Sequence, residues 1–462
     1  MGERELIGLA GLLLLFVLLL LRLPVGLAMI GVGIGGNYAL SLVLPHLRFE
    51  PYLKQFKTLL WNNVANYDLS VVPLFILMGF LASHANLSRD LFQGVKALIG
   101  RTRGGAAMAA IGACAGFGAV CGSSLATAAT MGRVALPELK RMGYQPRLAA
   151  GTLAAGGTLG ILIPPSVALV VYAIIVEASI IEMFQAAILP GLIAVASFLA
   201  VIAVLVRRRP EIAPPAEPLP AEERRRALLR LLPVVGIFGA IILGLGAGLF
   251  TPTPAAGVGV VAVLAYGLLL RLRGEGLTGQ GLKQSLLDSA VTAGMIYFIL
   301  FGAEVLKGFF TRAGLPTALA QWAAGSGIDP WLVLIAMLVI LILLGCFMDS
   351  LAMILVVVPF FWPVLIDLNG GDYVTAESAA FGMTAEELKI WFGILALVVV
   401  ELGLITPPVG LNVFIISAMA DNASMQETFR GVLPFFAAEI LRVALLLALP
   451  VLALALPRLL SG

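Results

Sequence analysis

Charged residues, cysteine and histidine are scarce in this 462-residue chain. Only 12% of the residues are charged, whereas about a quarter is usual for a soluble domain. The formal net charge is +3, and no basic cluster with interleaved aromatic residues occurs, so a nucleic-acid partner is not expected. Cys114, Cys121 and Cys346 lie in apolar segments without CxxC spacing, and the two histidines, His46 and His84, are far apart. We expect reduced cysteines, no cofactor and no histidine metal site.

The usual sequence marks of catalysis are also missing. The chain has no GxSxG, HExxH or Walker A motif and no CxxC pair, which argues against hydrolase, metalloprotease and ATPase chemistry. We therefore predict that the protein is not an enzyme and is not driven directly by ATP.

Apolar residues dominate instead. They make up 60% of the chain, and the mean hydropathy is +1.05. These values predict an all-α polytopic membrane protein whose partner is the lipid bilayer. The apolar run that ends at Leu21 is interpreted as a first span, because no small-residue cleavage site precedes Arg22 and Pro24.

The apolar segments occur in the same order in two halves of the chain. Each half is predicted to contain five spans, with one of them a broken helix, an interfacial amphipathic arm and a re-entrant hairpin of two half-length helices. The first half has spans at 6–21, 24–44, 64–83 and 183–206, a polar loop at 45–62, an arm at 86–103, a hairpin at 104–121 and 124–139, and a broken helix at 147–175. The second half has spans at 231–250, 254–270, 288–311 and 431–456, an arm at 314–325, a hairpin at 331–347 and 351–366, an acidic insert at 367–389, and a broken helix at 391–419.

Residue matches support an internal repeat. Ser124-Leu125-Ala126 aligns with Ser350-Leu351-Ala352, so Ser123 lies opposite Asp349, and Gly160 with Pro164-Pro165 aligns with Gly403 and Pro407-Pro408. The proline-rich, arginine-rich segment 207–230 is interpreted as a cytoplasmic linker between a first repeat, 1–206, and a second, 231–462. The second hairpin has acidic residues at its base and should enter from the opposite face. The repeats are therefore predicted to be inverted, with both termini periplasmic.

Two apolar helices break at corresponding places, Gly156–Ser166 and Glu401–Gly410, each with glycine and a double proline. Proline lacks the N–H and clashes with the preceding turn, so each helix must break and free several carbonyls. Within hydrocarbon, such carbonyls are tolerated only where they line a cavity or bind something. A pair of breaks of this kind indicates the binding site of a secondary transporter.

Pairing each break with the hairpin tip before it gives two polar clusters. Backbone carbonyls, hydroxyls and a carboxylate supply the hard oxygens that sodium takes, and the freed helix N-termini attract an anionic substrate. The first predicted sodium cluster is Gly122, Ser123, Ser124, Gly157 and Thr158, and the second is Met348, Asp349, Ser350, Gly403 and Thr406. The residues expected to contact substrate are Ser124, Pro164, Ser166, Ser350, Pro407 and Asn412.

Less specific interpretations of these residues stay open. A serine pair is common at membrane helix contacts, and Asp349 could be a tip carboxylate that is merely hydrated in a cavity. An intramembrane carboxylate is nevertheless a functional candidate by default, so Asp349 is the sharpest single candidate, and Glu401 is another candidate buried acid.

With Gly156–Ser166, Glu401–Gly410 and Phe347-Met348-Asp349-Ser350 in view, the chain resembles the large membrane subunit of tripartite ATP-independent periplasmic (TRAP) transporters. Phe250-Thr251-Pro252-Thr253 resembles a family stretch that glutamate usually follows, but Pro254 stands here. The resemblance covers about residues 5–456.

The resemblance implies a bacterial inner-membrane protein that imports an organic acid with sodium by an elevator mechanism. A transport domain of hairpins and broken helices would slide against a scaffold of the remaining spans. The implied scaffold segments are 1–103 and 231–325, and the implied transport segments are 104–182 and 326–420. The implied partners are a small four-helix membrane subunit and a periplasmic substrate-binding protein, both expected as separate chains. The alternative is a stand-alone sodium- or proton-coupled carboxylate carrier, and a membrane enzyme or non-transporting scaffold has little support.

Overall fold

The computed structural model describes residues 2–21, 23–44, 46–215, 220–246, 248–325, 327–420 and 423–460, and every regular element in these ranges is helical. Arg22, residues 216–219 of the predicted linker, Ser326 at the start of the second implied transport segment, and Asp421 lie outside the described residues. Seven described helices are long and apolar enough to cross a membrane, or up to nine if each of two bent helix pairs counts as one span. The polytopic all-α prediction is confirmed.

The first half contains eleven described α-helices. They are α1 (Glu3–Leu20), α2 (Val25–Val43), α3 (Phe49–Val64), α4 (Val71–His84), α5 (Leu87–Ile99), α6 (Gly105–Cys121), α7 (Ser124–Arg141), α8 (Pro146–Gly157), α9 (Leu159–Leu162), α10 (Val167–Val176) and α11 (Ile180–Arg208). The predicted arm corresponds to α5, the hairpin to α6 and α7, and the broken helix to α8 to α10.

The second half follows the same order within the described ranges. Its helices are α12 (Ala221–Gly246), α13 (Pro252–Arg271), α14 (Gly279–Ala313), α15 (Leu315–Gly325), α16 (Pro330–Gly345), α17 (Ser350–Asn369), α18 (Ala385–Gly403), α19 (Leu411–Met419), α20 (Met425–Ala448) and α21 (Val451–Leu460). The arm is α15, the hairpin is α16 and α17, and the broken helix is α18 and α19. Both double prolines contain a cis peptide bond. The inverted relation between the halves stays a prediction.

The predicted loop 45–62 is wrong, because α3 occupies most of it. Tyr52 is buried, its hydroxyl donates a hydrogen bond to the carbonyl of Val305 at 3.1 Å, and its ring packs edge to face against Phe56. Phe56 packs in turn against Phe301 of α14. The aromatic residues recur on one side of a helix, but the charged residues between them hid that period in the sequence.

Three further boundaries differ from the prediction. The span predicted at 431–456 is divided into α20 and α21 at Leu449-Pro450, where proline cannot continue the helix. Helix α14 starts at Gly279, well before 288, because Thr278 caps it by accepting a hydrogen bond from the Gly281 N–H at 3.0 Å. Helix α12 starts within the predicted linker, at Ala221, in a run of good helix formers.

The arm α5 turns away from the span before it by 69°. The turn is made at Asn86, whose φ of 63° lies in the left-handed region that asparagine tolerates. Lys96 of α5 pairs with Glu138 of α7 at 2.7 Å, and Arg230 of α12 lies 3.7 Å from Asp90 of α5. The arm is therefore linked by charge to the first hairpin on one side and to α12 on the other.

The helices pack into two groups. In the first, α2, α3, α4 and α1 contact α14, while α13 packs on α4 and α12 on α5. In the second, the hairpins and broken helices contact one another and also α11 and α20. Helices α11 and α20, which contain the predicted last spans 183–206 and 431–456, therefore pack mainly with the hairpins and broken helices. The reason for α20 is a close glycine contact: a Cβ on Gly151 of α8 would lie 2.4 Å from the carbonyl carbon of Gly431.

Glycine also brings each hairpin against the broken helix after it. A Cβ on Gly118 of α6 would lie 2.3 Å from the Cα of Gly160, and a Cβ on Gly403 would lie 2.6 Å from the Cα of Gly345. Real Cβ atoms do not approach so closely, so only glycine permits either contact. The predicted pairing of each tip with its break is thus present in both halves.

Candidate functional site

The two hairpin tips have the same local design. Ser123 caps α7 by accepting a hydrogen bond from the Ala126 N–H at 3.4 Å, and Asp349 caps α17 by accepting one from the Ala352 N–H at 2.7 Å. Each cap satisfies one of the free N–H groups that begin a helix. The aligned positions Ser123 and Asp349 therefore have the same structural role, and Asp349 keeps a second carboxylate oxygen for other contacts.

Glu401 joins the two tips. Its carboxylate accepts a hydrogen bond from the Ser124 hydroxyl at 2.6 Å and from the Ser350 hydroxyl at 2.7 Å, one at each oxygen. Glu401 is fully buried at the end of α18, and both serines are at most 4% exposed. The sequence indicates that Glu401 is a candidate buried acid, but Glu401 is in neither predicted sodium cluster. Glu401 lies in the second break, and the residue aligned with it in the first break is Thr158, a predicted sodium ligand. This alignment is the sequence signal that Glu401 belongs to the site.

The hydroxyls at the breaks point their protons toward backbone carbonyls. Thr158 donates to the carbonyl of Ala155 at 2.6 Å, and Thr406 donates to that of Leu402 at 2.6 Å. A hydroxyl that has used its proton in this way keeps its lone pairs, which are the part that a cation uses. Ser166, in contrast, caps α10 by accepting from the Leu169 N–H at 3.4 Å.

Asn412 belongs to the second half but lies at the first break. It is fully buried, and its amide nitrogen donates to the carbonyl of Ala154 at 3.4 Å. A Cβ on Gly157 would lie 3.0 Å from that nitrogen. The Asn412 Oδ1 has no hydrogen-bond partner within the described residues. This buried oxygen without a hydrogen-bond partner, on a side chain beside Gly157, is therefore a candidate ligand for a cation.

A cavity of about 820 Å³ opens beside the tips, between them and helices α4, α5 and α14. Of the predicted site residues, five line it: Gly122, Ser123, Ser124, Asp349 and Ser350. The other predicted residues do not appear among its described lining: Gly157, Thr158, Met348, Gly403, Thr406, Pro164, Ser166, Pro407 and Asn412. Gly122, with φ of 59°, packs beside Ser166, so the break with Pro164 and Ser166 lies behind the first tip.

Two polar features of this region were missed in the sequence. Arg133 of α7 lines the cavity with its side chain exposed. Glu439 and Arg442 form a fully buried ion pair on α20, and Arg442 also donates to the carbonyl of Pro190 at 3.3 Å. The spacing of three residues that places both on one helix face was the available signal for that pair.

The sequence profile of the family described as "Tripartite ATP-independent periplasmic transporter, DctM component" matches residues 12–452. This chain belongs to that family. The resemblance noted in the sequence is confirmed, and the protein is a TRAP large permease, a multi-pass membrane transporter component.

Curated members of the family differ in the substrates that their names state. The C4-dicarboxylate TRAP transporter large permease protein DctM of Pseudomonas aeruginosa is 34% identical over 91% of this chain and 93% of its own length. The sialic acid TRAP transporter large permease protein SiaM of Vibrio cholerae is 30% identical over 87% of this chain and 88% of its own. The isethionate TRAP transporter permease protein DctMQ of Oleidesulfovibrio alaskensis is 29% identical over 82% of this chain but only 56% of its own.

A solved structure confirms the fold. The YdaH transporter of Alcanivorax borkumensis, whose crystal structure is described as having an unusual topology, superposes with a TM-score of 0.61 over 87% of this chain and 88% of that one. The two sequences are only 16% identical, so the likeness concerns the fold alone.

Proposed function

We propose that this TRAP large permease imports an organic acid across the inner membrane by sodium-coupled elevator transport, after a periplasmic binding protein delivers the acid and together with a small membrane subunit. Most support comes from one arrangement. Two hairpin tips, one from each half, are held together by Glu401 and face a cavity of about 820 Å³. The named substrates of the dicarboxylate and sialic acid relatives are acids, which agrees with helix N-termini directed at the cavity.

Two sets of hard oxygens support sodium as the coupling ion. At the first break these are the Thr158 hydroxyl, the Asn412 Oδ1 and backbone carbonyls around Gly157. The second set consists of the Thr406 hydroxyl at the second break and the second oxygen of Asp349 at the hairpin tip before it. Bound sodium would offset the negative charge of the acid. Binding of sodium would therefore favour binding of the acid, and this would couple their transport.

The packing supports an elevator. The cavity wall is formed on one side by the hairpin tips and on the other by Thr292 and Met295 of α14. Substrate therefore lies between the two helix groups, where relative sliding would change the side to which the cavity opens. Because α11 and α20 pack with the hairpins, they would move with the transport group.

The test is uptake of labelled succinate by cells that express the permease with its small subunit and binding protein. Uptake should depend on a sodium gradient and persist when the proton gradient is collapsed. Asp349→Ala should abolish it, while Ser41→Ala should not, since Ser41 is half-buried on α2, away from the cavity, and bonds its own helix. Membrane insertion should be equal in both variants.

Three outcomes would contradict parts of the proposal. Uptake that follows the proton gradient would replace sodium with protons. Full uptake by Asp349→Ala at equal expression would refute the ion site. Uptake by the chain reconstituted alone would favour the stand-alone carrier.

A further inference from the structure

Arg133 is the single arginine or lysine among the described residues that line the cavity. Its side chain is exposed to that space, and its described hydrogen bond is to the Thr130 hydroxyl at 3.4 Å. Within the described part of the chain it forms no ion pair. A cation without a counter-ion inside a cavity is available to an anionic ligand.

The position of Arg133 along α7 relates it to the tip. Helical side chains lean toward the N-terminus of their helix, and the N-terminus of α7 is the tip at Ser124. The bond to Thr130 confirms this direction. Thr130 is six residues after Ser124, or about 9 Å along the axis, and the guanidinium lies beside it. That separation suits a short molecule with one acidic group at the tip and another near Arg133.

Arg133 belongs to the same helix group as the tips. Both contacts with such a molecule would therefore travel together when the hairpins slide past α14. The acidic residues of the cavity are distributed differently. Asp288 is on α14 and accepts a hydrogen bond from Gln284 at 2.8 Å, whereas Asp349 caps α17. His84 of α4 is within hydrogen-bond distance of the Ser285 hydroxyl at 3.1 Å.

We propose that Arg133 binds a second anionic group of the transported acid, so that the permease itself prefers dianionic over monoanionic substrates. The inference rests on the proposed function, because it concerns the same cavity. It adds a specificity-determining residue outside both predicted clusters and independent of the delivering protein.

The test measures binding to the purified full-length permease in sodium buffer, which leaves the binding protein out of the comparison. The probes are succinate and succinamate, which match in chain length but differ by one carboxylate. The unmodified protein should bind succinate at least about tenfold more tightly, the equivalent of one charge-assisted hydrogen bond. Arg133→Gln should remove this preference and leave succinamate binding unchanged, while Arg133→Lys should keep most of it.

Arg89→Gln is the matched control, because Arg89 is exposed on α5 and does not line the cavity. It should behave as the unmodified protein does. Arg133 would instead be a solvated surface charge if the unmodified chain shows no preference for succinate, or if Arg133→Gln weakens both ligands equally, and either result overturns the inference. Failure of sodium-dependent uptake by the complete transporter would count against the proposed function instead, so the two failures are distinguishable.

Discussion

The contact of Glu401 with both hairpins can be tested through stability. Glu401→Ala removes the acceptor of two hydrogen bonds, at 2.6 and 2.7 Å, and leaves the Ser124 and Ser350 hydroxyls buried. An unsatisfied buried donor costs about 1–3 kcal/mol, so the two together predict a loss of about 2–6 kcal/mol in the free energy of unfolding. Glu401→Gln should cost much less, because an amide can accept from one serine and donate to the other.

The assay is unfolding by sodium dodecyl sulfate in mixed micelles, followed by far-ultraviolet circular dichroism. A thermodynamic cycle then isolates the contact. Ser124→Ala should destabilise the unmodified protein by more than about 1 kcal/mol but have little effect when Glu401 is already alanine. The contact of Glu401 with the two tips does not stabilise the protein if Glu401→Ala lowers the free energy of unfolding no more than Glu401→Gln does. The same conclusion follows if Ser124→Ala has the same effect with glutamate and with alanine at position 401.

Two further predictions concern packing and charge. Gly118→Ala and Gly403→Ala should each destabilise the folded protein by about 1–3 kcal/mol, since the new Cβ would lie 2.3 and 2.6 Å from backbone atoms. Gly35→Ala is the control in the same unfolding assay, because a Cβ there would have no atom within 4 Å. Equal effects of the three substitutions would contradict the close contacts. Glu138→Gln breaks the half-buried ion pair with Lys96 and should slow uptake more at low salt than at high salt. The reason is that dissolved ions already weaken the ion pair at high salt. An effect on uptake that does not change with salt would show that this pair does not link the arm to the hairpin.

The order of helices was predictable because membrane helices have strong signals. Apolar runs, double prolines and glycines define the hairpins and breaks regardless of tertiary detail, and these elements lie where expected. Helix α3 was not predictable in the same way. Its charged residues face outward and lower its mean hydropathy. The signal for this helix is instead the helical spacing of its aromatic residues, which pack it on α14.

Only the site residues that are close together in the sequence were predictable. The tip residues Ser124, Asp349 and Ser350 were found because each lies at a hairpin turn. Asn412 reaches the opposite half and Glu401 reaches both tips, and no spacing in the chain encodes contacts between segments so far apart. Arg133 was missed because a lone charge in the middle of a helix usually indicates a solvated face.

The contact of Glu401 with both tips also makes the two aligned halves of the chain chemically different. In the aligned first half the position is Thr158, whose hydroxyl donates to the carbonyl of Ala155, and no hydrogen bond among the described residues joins it to a tip serine. Two identical copies joined by a twofold axis would place either no carboxylate or two at the point where the tips meet. Two would repel in a buried site, because like charges disfavour ionisation of both. A single shared acid therefore requires two halves that differ at this position, and this chain has Thr158 in one half and Glu401 in the other.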